Sequence, residues 1–230
     1  MAYWNVLPAA ETLAGRLAAV RARIRAAAGR ARRDPAGITL LAVTKAFPAA
    51  AIREAYALGL REFGENYVQE FAVKAPEVRD LAGARFHLIG HLQSNKSNLA
   101  AELFASIQTV DSPKLARRLE SAGRKLEVML EVKLSGETAK SGADPAALPE
   151  LIAAVRECPH LALTGLMTMP PWSEDPEAAR PHFRRLRELA GRHGLCGLSM
   201  GMSHDLETAI EEGATCVRVG TALFGARQKA

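Results

Sequence analysis

Lys45 closes an apolar run, "LLAVTKAFP" over residues 40–48. An ammonium beside an apolar interior is costly unless it is paired or loses its proton. A lysine so placed is either an ion-pair partner or an amine poised to react. Far along the chain, "CVRVGTALFG" sets Arg218 between two valines and follows it with Gly220 and Thr221. Glycine lets the main chain approach a ligand closely, and N–H groups at the start of a helical stretch suit a phosphate. Just upstream, "LSMGMSHD" offers Ser199, Gly201 and Ser203. Each feature alone has an ordinary reading: a solvated lysine, a structural arginine, a plain turn. Together at one place they would serve a phosphorylated aldehyde, with the amine freed for attack by desolvation and the nearby guanidinium.

Whether they meet depends on the elements that carry them. Beyond residue 37 the chain alternates β-rich runs with helical patterns and shows no break in composition. Strands are predicted at 38–44, 61–64, 85–90, 106–110, 126–134, 161–166, 195–200 and 215–219. Helical stretches fall between them, as at 49–58, 145–156 and 177–193, with Pro48, Gly59, Pro113, Gly136, Pro145, Pro176 and Gly194 at the joins. About eight βα units in one stretch predict an α/β protein with a single (β/α)₈ TIM barrel. An open doubly wound sheet is the competitor, and the lack of G-x-G-x-x-G opening the first helix counts against its dinucleotide-binding form.

Closure makes the eighth strand a neighbour of the first. With period two, Leu41, Val43 and Lys45 share one face and Leu40, Ala42 and Thr44 the other. Val217 and Val219 then face the helices, leaving Arg218 and Gly220 inward. Barrel enzymes keep their chemistry at the C-terminal strand ends, often with phosphate between the last two loops. The phosphorylated aldehyde that fits is pyridoxal 5′-phosphate.

Residues 1–37 read as an additional helical segment packed on the barrel, with Leu13, Leu17, Val20 and Ile24 at helical intervals. Arg16, Arg21, Arg23, Arg25, Arg30, Arg32 and Arg33 crowd this segment and account for much of the formal charge of +5. A solvated helix face is the expected reading, and a nucleic-acid footprint the alternative. No aromatic interleaving or RNA-binding signature accompanies the arginines. Across 230 residues, 48% of them hydrophobic, no apolar run is long enough to span a membrane and the N-terminus shows no leader pattern. Cys158, Cys196 and Cys216 form no CxxC, which suits buried thiols in a reducing cytoplasm. His87 and His91 share a strand face but stand roughly 13 Å apart at ~3.3 Å per residue, too far to share a metal ion.

The segments "AVTKAFP", "FGENYVQE", "FHLIGHLQSNK", "GLMTMPP" and "LSMGMSHDLETAIEEGATCVRVGTALFG" together resemble the YggS/PROSC family of pyridoxal 5′-phosphate homeostasis proteins. The resemblance runs from about residue 10 to the C-terminus. It implies a fold-type III barrel like the N-terminal domain of alanine racemase, with the cofactor on Lys45. It also implies Arg218 facing the pyridine nitrogen, phosphate at Ser203, Gly220 and Thr221 with Ser199 as an addition, and Asn66 near the ring's polar edge. Two positions depart from the family pattern: Ala46, where relatives often carry threonine, and His91, at a variable place. Lys140 in "ETAKSGADP" matches a family lysine that could meet the cofactor, beside its plainer reading as a solvated loop residue.

An arginine at the pyridine nitrogen cannot supply the proton that makes the ring a strong electron sink, which suits a racemase or a protein that only holds the cofactor. Racemisation needs a second acid/base on the opposite ring face. Tyr3 precedes the barrel and Tyr56 lies in a helical pattern, leaving Tyr67 and His204 as the candidates. The expectation is therefore a monomeric intracellular carrier and regulator of the cofactor, with apo-enzymes as acceptors and no robust turnover. A small racemase-like enzyme, and an RNA- or partner-binding barrel using the arginine helix, are the alternatives.

Overall fold

The computed structural model describes residues 12–135 and 141–225. Thr12 opens the first helix by accepting the Gly15 N–H on its side-chain oxygen at 3.1 Å. Helix α1 (Leu13–Arg30) then buries Leu13, Leu17, Val20 and Ile24, the stripe its spacing predicts. Strand β1 (Thr39–Val43) is followed by α2 (Ala49–Ala57), β2 (Glu62–Glu65), α3 (Val68–Lys74), β3 (Arg85–Leu88) and α4 (Ser97–Leu103). Next come β4 (Ser106–Val110), α5 (Pro113–Glu120), β5 (Leu126–Glu131), α6 (Leu148–Arg156), β6 (Leu161–Met167) and α7 (Arg180–Arg192). The chain ends its regular structure with β7 (Gly197–Met202), α8 (Leu206–Glu211), β8 (Cys216–Val219) and the short α9 (Thr221–Phe224).

The eight strands close into a parallel barrel in chain order. Closure is direct, with Leu41 opposite Arg218 and Ala42 opposite Val219. A parallel sheet buried on both faces needs apolar side chains on each. Ala42, Leu130, Leu166, Val217 and Val219 pack into the large layer shared with the helices. Leu41, Val43, Ile89 and Cys216 form a separate small cluster within the barrel. The inward and outward assignments made for β1 and β8 hold.

Two expectations are corrected. The arginines of α1 and of the turn after it are not simply solvated, because four of them are docked on the barrel. Arg16 donates to the Leu223 carbonyl, Arg23 to Glu207 and the Ser203 carbonyl, Arg30 to Glu211, and Arg33 to the Ile210 and Ala214 carbonyls. The helix clamps α8 and α9, whose last carbonyls need donors. Of the three thiols only Cys158 and Cys216 are buried; Cys196, in the loop before β7, is exposed. No helix among the described residues is long and apolar enough to cross a membrane.

Candidate ligand site at the barrel mouth

Strand β1 ends at Val43, and Lys45 sits two residues further on in a turn closed by the Phe47 N–H on the Thr44 carbonyl at 3.1 Å. Ala46, the next residue, has φ 61°, a left-handed conformation uncommon for a side chain other than glycine. A buried polar hub holds this turn in place. Lys74 of α3 donates to the carbonyls of Thr44 (3.1 Å) and Phe47 (3.2 Å) and to the carboxylates of Glu65 (2.7 Å) and Glu70 (2.9 Å). Thr44 donates its hydroxyl to Glu65 at 2.8 Å, and Glu70 accepts the Ala46 N–H at 2.7 Å. Burial pushes the Glu65 carboxyl above its ordinary pKa, and the Lys74 ammonium opposes that shift.

Lys45 lines a cavity of about 250 Å³ at the C-terminal ends of the strands. Asn66, Ser203, Arg218, Gly220 and Thr221 line the same cavity, so six of the seven residues singled out in the sequence meet at one place. Val43, Ile89 and Met202 supply apolar wall. Asn66 owes its place to Gly90: a Cβ there would stand 2.2 Å from the Asn66 carbonyl oxygen. On the opposite side Ser203 accepts the Ala222 N–H at 3.2 Å, tying the β7 loop to the first turn of α9. Arg23 of α1 braces that loop from behind through the Ser203 carbonyl at 2.9 Å. Phe47 and Phe224, with centroids 5.1 Å apart, join the Lys45 turn to α9.

Ser199 is the seventh residue, and it lies below the cavity rather than on its wall. It is fully buried, accepts from Arg218 Nη1 at 2.8 Å and donates to Gln108 at 2.6 Å. Arg218 is itself 3% exposed, with Nη2 on the Thr168 carbonyl at 2.9 Å. Two anchors therefore aim the guanidinium, and burial draws its pKa down.

The remaining sequence candidates separate. His204 lines the cavity and contacts the Glu174 carbonyl, with Trp172 6.4 Å away ring to ring and largely exposed. Tyr67 is 61% exposed and is not part of the cavity wall. Tyr56 donates to the Ala82 carbonyl beneath the Arg61 guanidinium, away from the mouth. His87 points into the barrel beside Gln108, whereas His91 sits near Ser141 at the mouth. Tyr3 and Lys140 lie outside the described residues.

Several functional-looking residues had no local signal. Glu131 ends β5 on the inner face and lines an adjoining cavity of about 260 Å³ that shares Met169 with the first. Its carboxyl is pushed up to about 7, by burial first and then by the charge of Asp111, with Arg218 opposing. The hub residues were partly visible, since Glu70 and Lys74 stand at the i, i+4 spacing of a helical ion pair.

Fold and site together define a barrel of the alanine racemase N-terminal type. The sequence profile of that family, described as alanine racemase, N-terminal domain, matches residues 16–228. At 40% identity the chain is similar to the structure of PipY from Synechococcus elongatus with PLP bound, covering 93% of this chain and all of that one, with a TM-score of 0.82. Alanine racemase from Streptomyces coelicolor, at 22% identity and TM-score 0.69 over 91% of this chain and 58% of that one, shares the fold. Among curated relatives, the pyridoxal phosphate homeostasis protein of Pseudomonas aeruginosa is 53% identical over 94% of this chain and 96% of its own length. That of Escherichia coli K12 is 47% identical over 94% and 97%. The chain belongs to the pyridoxal phosphate homeostasis protein family.

Proposed function

We propose that this protein holds pyridoxal 5′-phosphate as a Schiff base on Lys45 and serves intracellular cofactor homeostasis as a monomeric carrier. The observation that carries the reading is the convergence of Lys45, Arg218 and the Ser203–Gly220–Thr221 cradle on one 250 Å³ cavity. The residues fit the group. Val43, Ile89 and Met202 offer apolar wall to a ring, and Asn66 a polar side chain at its edge. Ser203 and the first turn of α9 offer hydroxyl and N–H groups to a phosphate. When bound, the cofactor supplies the aldehyde; the chain supplies the amine, the orientation and the charge.

The Arg218 guanidinium keeps its own proton and its positive charge, so it leaves a facing pyridine nitrogen neutral and the ring a weak electron sink. Among the described residues lining the cavity no tyrosine is present, and His204 is the one imidazole. This supports holding over turnover. The names of the relatives point the same way.

The test pairs two assays on cofactor-loaded protein: activation of an apo PLP enzyme, and α-proton exchange of amino acids in deuterated buffer. Activation without exchange is expected. Lys45-dependent exchange at a useful rate would replace the carrier reading with the racemase-like one.

A further inference from the structure

Five polar side chains run in an unbroken line through the interior of the barrel. Arg218 Nη1 donates to Ser199 Oγ at 2.8 Å, and Ser199 Oγ donates to Gln108 Oε1 at 2.6 Å. Gln108 Nε2 faces His87 Nδ1 at 3.2 Å, and His87 Nε2 meets Glu62 Oε2. Their strands are β8, β7, β4, β3 and β2, so Gln108 reaches across the lumen to a strand that is not its neighbour.

The chemistry of the groups sets the direction of every bond. A guanidinium only donates, so Ser199 accepts from it and turns its own hydrogen to the Gln108 carbonyl oxygen. The Gln108 amide nitrogen must then donate to His87 Nδ1, which places the imidazole hydrogen on Nε2, toward the Glu62 carboxylate. Serine, glutamine and histidine each both accept and donate. Removing one leaves buried groups unsatisfied on both sides of it. The line starts at the cavity wall and ends at the first residue of β2, at the opposite end of the barrel, where Glu62 also faces Arg85 at 3.6 Å.

We propose that Gln108 is a positioning residue for the cofactor site: through Ser199 it fixes the Arg218 guanidinium, and the line makes that orientation depend on Glu62 at the far end. This rests on the reading that Arg218 faces the bound cofactor. Thr168 holds only Nη2, so without the Ser199 anchor the guanidinium is free to turn about the remaining one.

The experiment compares Gln108→Leu, Gln108→His and Glu62→Leu with the wild type. The readouts are the visible band of bound pyridoxal 5′-phosphate, its affinity, and the thermal midpoint. Gln108→Leu should weaken binding roughly three- to tenfold, the worth of one buried hydrogen bond, and shift the band. Gln108→His, which can again accept from Ser199 and donate to His87, should restore the band. Glu62→Leu, remote from the cavity and without an acceptor for His87, should shift it in the same sense as Gln108→Leu. Wild-type band and affinity in both Gln108→Leu and Glu62→Leu, with only a lowered midpoint, would overturn the proposal while leaving the cofactor reading intact. If Gln108→Leu does not fold, Glu62→Leu decides alone: a shifted band supports the proposal and an unchanged one overturns it. Failure of the wild type to be labelled at Lys45 after borohydride reduction overturns the underlying reading instead.

Discussion

Glu65 Oε1 and Lys74 Nζ lie 2.7 Å apart, both buried, against the turn that carries Lys45. Neither lines the cavity, yet the ammonium gathers the carbonyls on either side of Lys45 and so sets where its side chain emerges. Removing one partner of a buried pair strands the other, at a cost of roughly 3–5 kcal/mol. Lys74→Met should therefore lower the urea-unfolding free energy by about 3 kcal/mol and weaken cofactor binding. The double variant Lys74→Met/Glu65→Leu should recover most of the stability but not the binding, because the turn remains unbraced. Equal recovery of both would show that the hub does not shape the site.

Arg23 acts at the other side of the mouth. Its guanidinium bonds the Ser203 carbonyl and pairs with Glu207, so it ties α1 to the loop proposed to hold the phosphate. The pair is partly solvated, which keeps its worth to stability at about 1 kcal/mol or less. Arg23→Ala is expected to reduce cofactor affinity several-fold with little change in unfolding, whereas Arg25→Ala, which lines a cleft at the far end of the barrel, should leave affinity unchanged. Calorimetric titration of both variants checks this; identical affinities would confine the arginine helix to a stabilising role.

Glu131 makes stability depend on pH in a definite direction. Its folded-state pKa of about 7 stands above the ordinary carboxylate value of 4.5, so the folded chain binds the extra proton between those values. Stability from this group is complete below about 4.5 and is lost as pH rises to about 7, amounting to roughly 3 kcal/mol at most. Glu131→Gln, which cannot ionise, removes that loss. Relative to the wild type it should gain stability between pH 5 and pH 8, measured by urea unfolding at both. A pH-independent difference would mean that the carboxyl is not perturbed.

Most of the barrel was legible in the sequence because each βα unit carries its own apolar run and its own glycine or proline join. Strand ends were less so: β5 stops at Glu131, beyond which Val132 and Lys133 pair with Ala143, and β7 runs on to Met202 through a register shift. Lys45, Arg218, Gly220 and Thr221 were readable from strand alternation and closure alone. Ser199 was found, but its burial beneath Arg218 was not foreseeable, because its partner Gln108 lies 91 positions away. The interior line escaped for the same reason. It is built from single polar residues on different strands, each looking like an isolated exception in an apolar run, and only closure of the barrel brings them together; of the hub only the Glu70–Lys74 spacing on α3 showed.

A covalent bond between Lys45 and the aldehyde of pyridoxal 5′-phosphate is open to direct trial by borohydride reduction of the loaded protein. A visible band before reduction and, by peptide mass analysis, one reduced phosphopyridoxyl group per chain on Lys45 are expected, both lost in Lys45→Ala. No band, or label on another lysine with Lys45 untouched, would contradict it.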